Sequence, residues 1–179
     1  QVLTVTAPAD AESLPVMVPR NHKRLGPMSV DRVDCLLQHL REILRRLRSA
    51  GSTDKSDDRT AVEPDGFRAV VAQTACTLCR GHCCANGGDD AFLDDQVIAR
   101  VRRTSAARTD EALVALYADR VPAEGYERSC IFHGRTGCTL DRSMRADVCN
   151  TYYCRGLGDY LASQSPPEPT IVIAGDGEK

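Results

Sequence analysis

Tryptophan is absent from the 179 residues, phenylalanine occurs three times, and aromatic residues make up 4% of the chain. So thin a supply of rings excludes a core built on large aromatic side chains, and it gives a bound metal room to supply the cross-linking that packing does not. Lysine is scarce too: of the 23 Lys and Arg residues only those at positions 23, 55 and 179 are Lys. That balance fits a GC-rich bacterial coding bias and carries no chemistry. Neither sign of charge dominates, with a formal net charge of −2, so neither nucleic acid nor a membrane surface is expected as a partner. No run of 18 apolar residues occurs, which speaks against a transmembrane helix. There is no P-loop, no Ser/His/Asp pattern and no repeat at a solenoid period. The length suits one ordinary domain.

What the chain does have is cysteine, nine residues in all. Eight fall into two groups. The first is Cys76, Cys79, Cys83 and Cys84, in the run CTLCRGHCC; the second is Cys130, Cys138, Cys149 and Cys154. Four sulfurs are what a tetrahedral metal site or an iron–sulfur cluster takes from its protein. A CxxC turn lets two thiolates converge while backbone N–H groups point at the sulfurs. Gly81 permits the tight return toward Cys83. Neighbouring side chains point apart, so Cys83 and Cys84 are expected to diverge, one of them serving a second centre or reaching toward the second group. Cys149 and Cys154 are five residues apart, about 500° of helix. One continuous helix would not present both to one ion, so either the chain unwinds between them or they serve different centres. The count is odd, no signal peptide is visible, and adjacent cysteines close a strained ring when they pair with each other. These points favour metal over disulfides and a reducing cytoplasm as the location.

The ninth cysteine, Cys35, lies in the clearest helix, residues 29–49. Its apolar positions Val30, Val33, Leu36, Leu37, Leu40, Ile43, Leu44 and Leu47 form one stripe of roughly 140°, and Ser29 stands at the N-cap position. Cys35 falls on the polar face and is not read as a ligand. The stripe packs on the body of its own domain or forms a seam with a protein partner or a second copy. Residues 1–28, rich in proline, read as an irregular arm, and 50–64 as a flexible linker. A cysteine-cluster metal-binding domain spans 65–158. Within it Phe67–Thr74 leads into the knuckle as a short helix or strand, Asp94 or Asp95 caps one helix, and Thr109 or Asp110 caps another. The tail, 159–179, contains a β-prone run at Thr170–Ala174. His82 and His133 sit beside the cysteines, placed to donate a hydrogen bond to sulfur or to act as ligands. His22 and His39 read as surface residues, and Asp89, Asp90, Asp94 and Asp95 as turn and cap chemistry.

The pattern resembles the YkgJ family of zinc- or iron-chelating cysteine-cluster proteins. The match runs through Cys76-x-x-Cys79-x-x-x-Cys83-Cys84, Cys130-Ile131-Phe132, Gly137-Cys138 and Arg145-Ala146-Asp147-Val148-Cys149 to Tyr152-Tyr153-Cys154. Ala146 stands where proline is usual and Asn150 where arginine is usual. The resemblance covers about 80 residues and implies ligation by the eight matched cysteines. A similar signature in flagellin lysine N-methylases adds a protein-modifying enzyme to the candidate classes, although no glycine-rich methyl-donor motif is present here.

The sequence thus predicts a mainly α fold with irregular loops, small, cysteine-rich and organised around one or two thiolate metal centres. The expected cofactor is an iron–sulfur cluster or Zn2+. The uneven spacing of the second group lacks the paired knuckles of zinc ribbons and favours the cluster. The centre would be structural or redox-active. A redox or protein-modifying enzyme and a labile metal chaperone or sensor are the alternatives.

Overall fold

The computed structural model describes residues 2–4, 14–50, 64–107, 109–163 and 170–175. In chain order the elements are β1 (Val2–Thr4), β2 (Leu14–Pro19), β3 (Leu25–Pro27), α1 (Val30–Ala50), α2 (Gly66–Cys79), α3 (Asp95–Thr104), α4 (Asp110–Ala118), β4 (Glu124–Tyr126), β5 (His133–Gly134), β6 (Gly137–Cys138), α5 (Asp147–Thr151), α6 (Arg155–Ala162) and β7 (Thr170–Gly175). Short 3-10 turns cover His82–Asn86 and Arg142–Met144. Helix dominates, but two small sheets accompany it, so the fold is mixed α and β rather than helix with irregular loops.

The chain divides into two compact units, each assembled from separate stretches. The first takes residues 1–22, 62–83 and 152–179; the second takes 23–61 and 84–151. The expected single metal-binding span of 65–158 is therefore shared between the two.

The first unit is a three-stranded sheet in the order β1-β7-β2, with β2 parallel and β1 antiparallel to β7. Strand β7 alternates buried Thr170, Val172 and Ala174 with less buried neighbours, the period of a strand with one covered face. Helices α2 and α6 cover the sheet, and the core is Val16, Val18, Val71, Ala72, Ala75, Leu78, Leu157, Val172 and Ala174. Two expectations are corrected here. The described residues of the stretch 1–28 include three strands where an irregular arm was expected, and the β-prone run in the tail is the central strand of the sheet. Prolines 15 and 19 disguised β2. Lacking N–H groups, they suit only an edge position, which is where β2 lies.

In the second unit α1 packs against α3 and α4. Leu36, Leu40, Ile43 and Leu44 of its stripe are buried with Val97, Ile98, Val101, Leu113, Tyr117, Ile131 and Phe132. Asp94 caps α3 by accepting from the Val97 N–H at 2.9 Å, and Thr109 caps α4 through the Ala112 N–H at 3.1 Å. The Tyr117 hydroxyl, inside this core, donates to the Met144 carbonyl at 3.0 Å. Strands β3, β4, β5 and β6 form an antiparallel sheet in that order. Among the described residues no helix is long and apolar enough to cross a membrane.

Candidate metal centres

The first knuckle is built on the end of α2. Cys76 and Cys79 are three residues apart in its last turn, a spacing that puts them on one face. Arg80 then turns left-handed, with φ 52°, and its N–H closes on the Cys76 carbonyl at 3.1 Å, a C-cap that ends the helix. Gly81 continues the turn with φ 67°, a conformation glycine adopts without penalty. The chain thereby reverses, and the His82 N–H reaches the Cys79 sulfur at 3.3 Å. Cys83 follows in the 3-10 turn.

Sequence inspection missed what fastens this turn. Asn21, buried with 6% exposure, donates its backbone N–H to the Cys79 carbonyl at 2.9 Å and its side-chain amide to the Arg80 carbonyl at 3.1 Å. The nearest signal was a lone asparagine just past a Pro-rich stretch, too common to single out.

Cys154 arrives from the other end of the unit. Helix α5 stops at Thr151, the backbone of Cys154 is extended, and α6 begins at Arg155. The chain does unwind between Cys149 and Cys154, and the two also belong to different units. Cys154 packs on the core that buries Cys79, as does Tyr153. Its approach depends on Gly156, where a Cβ would lie 1.9 Å from the Met17 carbonyl oxygen, so the first turn of α6 presses directly on the β2 backbone.

The thiol acidities report the same company. Burial, then the neighbouring Cys83, Cys79 and Cys154, push Cys76 up to about 11, although the residue is exposed at the surface. Burial raises Cys79 as well. The His82 and Gly81 amides oppose that rise, and Cys83 and Cys154 add to it.

The remaining four gather in the second unit. The Cys130 N–H donates to the Cys84 carbonyl at 2.8 Å, and Ile131 pairs likewise with Gly88 at 2.9 Å. Between them a Cβ on Gly87 would lie 2.7 Å from the Cys130 Cβ and 3.2 Å from its sulfur. Cys138 enters through β6, its Cα paired with that of His133 on β5. Cys84 and Cys138 pack on the core that buries Cys130. Cys149 lies on α5, which Arg100 steadies by donating to the Arg145 carbonyl at 2.6 Å and pairing with Asp147. Burial pushes Cys130 up to about 12, opposed by the Phe132 amide; Cys138 and Cys149 raise it further, and Arg32 lowers it.

Of the residues the sequence singled out, none of the nine cysteines is joined in a disulfide. Cys35 is exposed on α1. His82 and His133 both lie beside a set. His82 is exposed, with Nδ1 3.3 Å from the Arg20 carbonyl oxygen. His133 is buried, with Nδ1 2.8 Å from the Ser129 hydroxyl and its ring 4.5 Å from that of Tyr126. His22 is exposed, whereas His39 is half-buried, its Nε2 2.8 Å from the Leu93 carbonyl oxygen. The acidic stretch is absorbed by local structure. Asp89 pairs with Arg32 at 2.6 Å, Asp95 pairs with Arg46 at 2.5 Å, Asp90 accepts from the Phe92 N–H, and Asp94 is the cap already described.

Among the described residues no three Cys, His, Asp or Glu side chains already stand in an arrangement that could hold a metal ion. Compared with known proteins, the chain matches no family model, no curated protein and no solved structure.

The donor chemistry nonetheless suits a thiophilic metal. Thiols that raise one another's pKa are each harder to ionise alone, and a cation at their centre reverses that repulsion. Backbone N–H groups already directed at Cys79 and Cys130 would steady the thiolate charge.

Proposed function

We propose that this protein binds metal through the thiolates of Cys76, Cys79, Cys83, Cys84, Cys130, Cys138, Cys149 and Cys154. The observation that carries this reading is that all eight lie among other cysteines within a packed unit, while Cys35 stands apart on α1. The resemblance to cysteine-cluster proteins of the YkgJ family points the same way and rests on the sequence pattern alone. An iron–sulfur cluster is the favoured occupant and Zn2+ the other. Either prefers cysteine sulfur, and four sulfurs satisfy either. A bound cluster would supply one-electron chemistry, whereas zinc would supply folding energy. The reading requires a reducing compartment, the cytoplasm, because oxidised cysteines do not ligate.

The test is an absorption spectrum and elemental analysis of protein purified without oxygen. A broad visible band, with iron and sulfide in the sample, establishes a cluster; a colourless sample with stoichiometric zinc establishes a zinc protein. Protein that holds neither metal, and takes up neither on reconstitution, refutes the proposal.

A further inference from the structure

We infer that the eight cysteines form two separate four-thiolate centres whose membership crosses the sequence groups: Cys76, Cys79, Cys83 and Cys154 hold one, and Cys84, Cys130, Cys138 and Cys149 hold the other. This rests on the metal-binding reading and adds to it the number of centres and their ligands. Along the chain, Cys84 belongs with Cys83 and Cys154 with Cys149. In the folded protein the division into units falls between Cys83 and Cys84, and again between Thr151 and Tyr152. Each boundary transfers one cysteine.

Separate contacts fix the two transfers. Cys84 is tied to Cys130 by the backbone hydrogen bond at 2.8 Å, with Gly87 pressed on the Cys130 side chain, and both residues belong to the core beneath α1, α3 and α4. Cys154 packs with Cys79 on the core beneath α2 and α6. Cys138 packs on the same core as Cys84, and Cys83 and Cys149 each lie in the unit of their set. A vicinal pair therefore need not strain to share one centre, because each member faces a different one. The ligand class is a thiophilic centre completed by four cysteine sulfurs, either a tetrahedral ion or a cubane cluster.

The 179-residue chain, reduced and freed of metal under anaerobic conditions, is titrated with Co2+ in the presence of a competing chelator, and its cysteines are alkylated at each step. The wild-type protein is expected to retain two equivalents, with protection from alkylation arriving in the two sets named. Cys83→Ser and Cys84→Ser should each retain one equivalent. The C83S/C154S double variant should still retain one, since both changes strike the same centre, and C83S/C84S should retain none. The reverse pattern in the double variants overturns the partition, as does a single equivalent that protects all eight cysteines. If a variant fails to fold, the protection pattern of the wild-type chain decides alone. A wild-type chain that takes up neither cobalt nor, with iron and sulfide, a cluster refutes metal binding itself, and the partition falls with it.

Discussion

Asn21 makes two hydrogen bonds to the carbonyls of the turn that carries Cys79, and it does so from a buried position. In Asn21→Ala the main-chain bond survives, but the Arg80 carbonyl loses its amide donor in a left-handed turn. We expect a loss of about 1 kcal/mol in unfolding free energy, together with weaker metal retention by Cys76, Cys79, Cys83 and Cys154. Denaturant titration and chelator competition on the same variant read the two effects. The thiols themselves give a pH dependence. Cys76 and Cys130 rise from about 9.0 to about 11 and about 12 on folding. Their burial therefore stabilises the metal-free protein fully below pH 9, and that contribution is lost as pH climbs, because the unfolded chain ionises first. Metal-free protein should unfold at progressively lower denaturant concentration between pH 9 and 11. Metal affinity should move the opposite way, weakening as pH falls, because each bound ion must displace the thiol protons.

At the scale of elements, two glycines set how closely backbone approaches backbone beside the cysteines. A methyl at Gly156 would drive α6 off β2 and carry Cys154 with it; a methyl at Gly87 would push on Cys130. Each alanine variant should cost about 1–3 kcal/mol by overpacking. The useful expectation is selective: Gly156→Ala weakens metal retention by the set containing Cys154 and spares the set containing Cys130, while Gly87→Ala does the reverse. Site-resolved alkylation of the loaded protein distinguishes them. The caps offer a control away from the cysteines. Asp94→Ala removes the acceptor for the Val97 N–H and should lower stability by about 1 kcal/mol with metal stoichiometry unchanged. Helix α1 was legible from its period, and so were the caps of α3 and α4, because 3.6-residue periodicity and N-cap chemistry are local signals. Strands β2 and β7 were not legible as partners. Their pairing joins residues near 16 to residues near 172, and no local pattern encodes a partner that distant.

At the scale of the whole chain, the eight ligand candidates were legible as residue types, yet their sorting was not. Neighbouring side chains point apart, so the sequence led to the expectation that Cys83 and Cys84 diverge, but not to the unit each would join. The argument from helical phase left two outcomes, unwinding or separate centres, and the helix does stop between Cys149 and Cys154, since geometry over five residues is local. Their destinations depended on which core each flank joins, and that is decided by Leu157 on one side and by Met144 and Ala146 on the other. The apolar stripe of α1 showed the same limit. Periodicity marked the buried face without naming its cover, which proves to be α3 and α4 in its own unit.

The discontinuity of the first unit also imposes an order in time. Synthesis runs from the N-terminus, and compact units form as their segments emerge. The stretches 23–61 and 84–151 are complete while β7 has yet to be made. Until it emerges, β1 and β2 lack the strand that lies between them, and Cys76, Cys79 and Cys83 wait for Cys154. Cys130 and its companions therefore find their core first, and Cys76, Cys79 and Cys83, although made earlier, are the last to find their full company.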